Sequence, residues 1–210
     1  MLTFVMVFHA IVFIMRAVCK QCLYPLTTCL CSDVAPVMSP IPILILQHKK
    51  EVGHAKNTVR LLSLSLKNLT VITHDNHAVA SQALSALLSK YRNPAVVYPT
   101  IGSLPIEQLK GHSKHDAYIL LDGSWRQSRG MWLAYPDLHP LPHYHFTDAG
   151  SSNYVIRHTK MEQGLSTLEA VAYTLTQTTT VDTSILYRLQ AAMQKNWRGP
   201  QHHLRKRKDK

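Results

Sequence analysis

Residues 118–132, YILLDGSWRQSRGMW, place a carboxylate (Asp122), a hydroxyl (Ser124), an indole (Trp125) and two guanidinium groups (Arg126, Arg129) within eight positions. An acid that can accept a proton, a ring that can stack and cations that can hold an anion are the parts of an acid–base site for a charged substrate. The apolar run 119–121 stops at Asp122 and turns at Gly123, which reads as the C-terminal end of a buried strand, where ligands gather in α/β proteins. The plainer alternative is a strand–helix junction with Asp122 as helix N-cap and Trp125 in the core.

A second chemical cluster precedes it. All four cysteines, Cys19, Cys22, Cys29 and Cys31, fall in CKQCLYPLTTCLC, spaced C-x2-C-x6-C-x-C. Disulfides scattered through a secreted fold would not cluster in this way. Four thiolates on one short loop suit tetrahedral zinc, and a closed four-sulfur shell leaves no position for substrate, so such a metal is structural. Free or redox thiols are the alternative. His143 and His145 share one face of a strand but lack a third ligand.

From residue 41 onward, apolar strands alternate with helical periodicity. Strands are expected at 41–46, 69–73, 95–98, 118–121, 143–146 and 154–157, and helices at 57–66, 78–90, 104–110, from the Gly123 turn to 134, 166–175 and 182–197. Asn57 suits a helix cap, and Ser166-Thr167-Leu168-Glu169 is a capping-box pattern. Repeated βα units predict a mostly parallel sheet with helices on both faces. Gln47-His48, Tyr98-Pro99-Thr100 and Asp122 to Trp125 then all lie at the C-terminal ends of strands.

A chain of 210 residues builds one core. The expected organisation is an apolar extension at 1–15, a cysteine element at 16–40, a catalytic domain at 41–197 and a basic tail at 198–210. The formal charge of +11 points to a polyanionic partner; four thiolates around one zinc still leave about +9. In the tail, Arg205, Lys206 and Arg207 belong to a run of five cations against one anion, expected to be mobile and to tether nucleic acid. No G-x-G-x-x-G or G-x-x-x-x-G-K-[ST] motif is present, which disfavours a glycine-cradled dinucleotide or triphosphate. Residues 1–15 are almost wholly apolar yet short for a membrane span, with no basic n-region and no cleavage site. They are either the product of an upstream start codon, with Met6 or Met15 as the alternative, or an anchor. The expectation is that they are dispensable and that stable membrane anchoring is absent.

Four ordered blocks resemble the DTW-domain family of tRNA-uridine aminocarboxypropyltransferases: the cysteine cluster, ILQHKKEVGHAKNTVRLLSLSL (45–66), the Asp122-Gly123-Ser124-Trp125 turn, and SNYVIRHTKMEQGLSTLEAVAYTL (152–175). The family's Asp-x-Thr-Trp carries serine at 124 here, which keeps the hydroxyl and loses a methyl. The family is similar to the SPOUT class of RNA-modifying enzymes, so a knot around the cofactor is part of what the resemblance implies. The implied reaction moves the 3-amino-3-carboxypropyl group of S-adenosylmethionine to N3 of a tRNA uridine and releases methylthioadenosine. On this resemblance Asp122 is the base or base-orienting group and Trp125 stacks on a ring. Tyr98, Pro99, Thr100, Leu121, Ser124, Leu165, Ser166, Thr167 and Glu169 form the cofactor cleft. Arg60, Arg126 and Arg129 are expected to hold RNA phosphate or the cofactor carboxylate, and the tail cations RNA. It implies a cytoplasmic enzyme with tRNA as partner, no protein partner, and a monomer. The competing readings are a methyltransferase using the same cofactor, separated by its product S-adenosylhomocysteine, and a non-catalytic zinc-containing RNA-binding module.

Overall fold

The computed structural model describes residues 17–157 and 164–197; residues 1–16, 158–163 and 198–210 lie outside it, and with them the apolar extension and the basic tail. Six strands form one sheet: β1 (Ile43–His48), β2 (Leu69–His74), β3 (Pro94–Val97), β4 (Leu104–Pro105), β5 (Ala117–Asp122) and β6 (His143–His145). Their order is β2-β1-β5-β3-β6-β4, and every pairing is parallel. Because β5 inserts between β1 and β3, the last residue of β5 comes alongside β1, with Asp122 in register with Gln47.

The central strands β1, β3 and β5 are buried on both faces, which explains their apolar runs. The two-residue side-chain period sends Ile43 and Ile45 to one face, under helices α1 (Val59–Ser65), α4 (Thr167–Thr178) and α5 (Ser184–Lys195). Leu44 and Leu46 go to the other face, under α2 (His77–Leu88) and α3 (Trp125–Ala134). The α/β architecture with helices on both faces is therefore present. The N-cap position of α1 is Thr58, and Asn57 just before it supplies the side-chain acceptor, its Oδ1 accepting from the amides of Val59 (2.7 Å) and Arg60 (3.3 Å).

Two local expectations need correction, and one alternative falls away. Residues 154–157 are not a strand: the amides of Asn153 and Val155 donate instead to the side chains of Glu169 and Gln194, so no ladder partner is needed. The segment 104–110 opens with β4 and continues as a single 3-10 turn, Ile106–Leu109, ended by Lys110 at φ 49°. Asp122 is not the cap of α3. Ser124 is, in a capping box with Gln127, which frees the carboxylate.

The cysteine element is a knuckle in which the Cys19 amide donates to the Tyr24 carbonyl and the Leu23 amide to the Cys19 carbonyl, both at 2.8 Å. Cys22, Tyr24 and Leu30 are buried in the same core as α1 and α5. Arg60, in the first turn of α1, ties the element down by donating from Nη2 to the Cys22 carbonyl (3.2 Å) and stacking its guanidinium 4.1 Å from the centre of the Tyr24 ring. Among the described residues, no helix is long and apolar enough to cross a membrane.

Candidate active site

At the C-terminal end of β5, the buried Asp122 carboxylate accepts on Oδ2 from Gln47 Nε2 (2.8 Å) and on Oδ1 from the Thr167 hydroxyl. Both anchors follow from topology: Gln47 is its β1 neighbour, and Thr167 is the first residue of α4. Burial pushes its pKa above the ordinary carboxylate value, while the hydrogen bonds from Thr167 and Gln47 act in the opposite sense. The chain must then turn sharply into α3, and Gly123 permits it. A Cβ there would lie 2.9 Å from the Gln127 Cβ and 3.5 Å from that of His48.

Asp122 lines a cavity of about 430 Å³ together with Gly123, Ser124, Trp125 and Arg126 from the α3 start, and Gly164 to Thr167 from the α4 start. Two helix N-termini thus open on one space, and their free amides and dipoles favour an anionic group such as a carboxylate. Trp125 is 45% exposed, so the core alternative for it fails; its ring is an uncovered wall of the cavity.

Glu169 does not line the cavity. It is buried behind it, and its carboxylate accepts from the Ser166 amide (2.8 Å), the Ser152 hydroxyl (2.6 Å) and the Asn153 amide (2.8 Å). That fixes the α4 entry against residues 152–153. The remaining wall was not foreseen as a site and includes Lys56, Thr58, Ser152, Tyr154 and Arg157. Arg157 is held by a two-pronged pair with the buried Glu51, 2.7 Å at both nitrogens. The pair raises the Arg157 pKa, and the cation faces a site that also contains Asp122. Lys56 is held below the ordinary lysine value, first by burial and then by Arg157. A legible signal existed: residues 49–58 form a long polar connection after β1, and connections of that length in compact α/β units carry function disproportionately.

Other expected residues sit elsewhere. Tyr98, Pro99 and Thr100 follow β3 but do not line this cavity; Tyr98 stacks on Trp132 at 5.4 Å, and the Thr100 hydroxyl is buried without a partner. Leu121 packs into the α2–α3 face, and Leu165 lines the cavity. Arg126 lines it too, Arg129 is exposed further along α3, and Arg60 stands at the cysteine element. Arg205, Lys206 and Arg207 lie outside the described residues.

The four cysteine sulfurs lie within 4.8 Å of one another, with Cys19–Cys31 at 3.5 Å and Cys22–Cys29 at 3.7 Å. Zinc–thiolate bonds of about 2.3 Å give a tetrahedron with edges of about 3.8 Å, so the donor set fits a metal of that kind. The amide of Cys22, with further help from Gln21 and Cys31, holds Cys19 down at about 6, whereas the Cys19 and Cys29 sulfurs push Cys31 up to about 12. Four thiols this close resist common ionisation without a cation among them.

The family profile described as the DTW domain matches residues 16–197. The chain is 29% identical over 170 residues to a Drosophila melanogaster protein named tRNA-uridine aminocarboxypropyltransferase 2, covering 76% of this chain and 66% of the fly protein. It is 28% identical over 167 residues to a Mus musculus protein of the same name, covering 76% of this chain and 56% of the mouse protein. The chain thus spans somewhat less than two thirds of these curated relatives. No solved structure matches it significantly.

Proposed function

The chain belongs to the DTW domain family, and we propose that it is a tRNA-uridine aminocarboxypropyltransferase using S-adenosylmethionine as donor. The observation that carries the reading is Asp122: a buried carboxylate gripped by Gln47 and Thr167, on the wall of a cavity shared by two helix N-termini and an uncovered tryptophan. In the reaction the bond from uridine N3 to the γ-carbon of the aminocarboxypropyl group forms as the carbon–sulfur bond breaks. The sulfonium leaves as neutral methylthioadenosine, and the N3 proton must go to a base. Asp122 serves there, and a pKa raised by burial makes it a better proton acceptor than a solvated carboxylate.

The sulfonium is already a good leaving group, so the protein's task is orientation. The α3 and α4 N-termini, with Arg157 fixed by Glu51, suit the carboxylate of the transferred group. Trp125 suits stacking on uracil or adenine. The cysteine cluster holds zinc as a structural ion; it sits in the core shared by α1 and α5 and supplies no group to the Asp122 cavity. Arg126 and Arg129 contribute phosphate contacts, and the enzyme acts in the cytoplasm.

The test is chemical. Incubated with tRNA and S-adenosylmethionine, the full chain should release methylthioadenosine and add the aminocarboxypropyl group to a uridine, read by nucleoside mass spectrometry. Release of S-adenosylhomocysteine would make it a methyltransferase, and RNA binding with neither product would make it a binding module.

A further inference from the structure

A second cavity, of about 810 Å³, lies between the cysteine element and the C-terminal end of α5. Tyr24, Leu30, Arg60, Met193 and Trp197 are among its walls, and no carboxylate is among its described lining residues. Most of its surface is apolar, yet three of the residues that line it each carry a buried polar atom with no protein hydrogen-bond partner: the Tyr24 hydroxyl, Arg60 Nε and Trp197 Nε1. Tyr24 itself is only 7% exposed. Folded proteins leave few such atoms bare, so three on one cavity call for a ligand.

The chemistry of that ligand follows from the atoms. Arg60 Nε and Trp197 Nε1 are fixed N–H donors and want acceptors, while the Tyr24 hydroxyl can take either role. The absence of a lining carboxylate disfavours a cationic ligand, and the bare polar atoms disfavour an acyl chain. The guanidinium of Arg60, already stacked on Tyr24, belongs to a flat wall of the kind on which bases stack. The position is also telling. Ala55 and Arg60 line this cavity while Lys56 and Thr58 line the Asp122 cavity, so one segment walls both, and Lys56 Nζ stands 5.0 Å from the centre of the Trp197 ring.

We infer that this second cavity binds a nucleobase of the RNA substrate, a base other than the one modified, through hydrogen bonds from Arg60 Nε and Trp197 Nε1. The inference rests on the RNA-modifying reading above. It makes the cysteine element part of substrate recognition: loss of its metal would disorder the wall that carries Tyr24.

Two variants of the full chain test it. Tyr24→Phe removes one polar atom that has no protein partner and should lower neither thermal stability nor the affinity for S-adenosylmethionine; Trp197→Phe also shrinks the ring beside Lys56, so it should cost some thermal stability while leaving that affinity unchanged. Each should raise the KM for tRNA about five- to tenfold at nearly unchanged kcat, the effect of losing one hydrogen bond. In parallel, the three indole N–H signals of the full chain, with Trp197 assigned by its loss in Trp197→Phe, are followed by NMR during titration with AMP, CMP, GMP and UMP. The Trp197 signal should move with at least one of them. An unmoved Trp197 signal and an unchanged KM in both variants, with normal wild-type turnover, would overturn the nucleobase cavity and leave the transferase reading standing. A wild-type chain without turnover whose Trp197 signal still moves would overturn the transferase reading and support the cavity.

Discussion

The two cavities of this molecule share a wall at residues 55–60 and differ in how their polar groups are satisfied. Around Asp122 the fold supplies its own partners: Gln47 and Thr167 hold the carboxylate, Glu51 holds Arg157, and Glu169 holds the start of α4. Among the described residues, none that lines that cavity carries a buried side-chain atom lacking a protein partner, whereas three that line the other do. Chemistry needs groups fixed before the substrate arrives, because reorganisation during reaction raises the barrier. Recognition can leave groups bare until a ligand completes them. On the proposed reading, satisfied polar atoms mark the reacting site and unsatisfied ones the site that reads a second base.

The comparison breaks most sharply at Asp122. Asp122→Asn keeps the size and turns one accepting oxygen into a donating NH2, which the Thr167 hydroxyl or a turned Gln47 amide can accept. It removes the proposed base, and turnover should fall by about 10²–10⁴-fold with S-adenosylmethionine binding retained. Near-normal turnover of the folded variant would reduce Asp122 to a structural anchor. Next in size is the cysteine element. The full chain should carry about one zinc, and Cys29→Ala should lose it. Thermal stability should then drop, because Cys22, Tyr24 and Leu30 pack into the core with α1 and α5; unchanged zinc content by elemental analysis would refute the assignment.

Glu51→Gln probes how Arg157 is prepared. The charge-assisted pair becomes a neutral contact, and losing interactions of that kind is worth about 1.5–3 kcal/mol, or about ten- to hundredfold in kcat/KM. An unchanged kcat/KM would remove Arg157 from the site's working parts.

The smallest expected effect lies away from both cavities. Burial pushes the Glu107 carboxyl up, but the amides of Asp148, Glu107 itself and Thr147, with the Tyr173 hydroxyl, pull it down to about 2. A pKa below its unfolded value contributes stability that is complete above about pH 4.5 and lost as pH falls toward 2. Glu107→Gln should therefore flatten the denaturation midpoint between pH 5 and pH 2 while leaving turnover unchanged. A pH profile identical to that of the wild type would show that the carboxylate is not so held.

Much of this was legible in one dimension, because it depends on local periodicity. Continuous apolar runs such as residues 43–46 announce strands buried on both faces, and Ser166 to Glu169 announces a helix start whose capping box is present. The cysteine spacing pointed to the cluster now seen, since its ligands lie within thirteen residues. Residues 154–157 read as a strand, yet the amides of Asn153 and Val155 are taken by side chains from α4 and α5, which no local pattern encodes.

Sequence by itself determined that the strand stops at Asp122 and that a helix follows the Gly123 turn, because an apolar run, a glycine and a polar turn suffice for that. Only the tertiary structure decided what surrounds them. Inserting β5 beside β1 gave Asp122 its Gln47 partner across 75 positions, and packing α4 over that edge brought Thr167. Arg157 reached Glu51 across 106 positions, and Tyr24, Arg60 and Trp197 met around one cavity. The physical reason is range: periodicity and capping act over a few residues, whereas the charge, burial and hydrogen bonds of a site come from elements that meet only when the sheet is assembled.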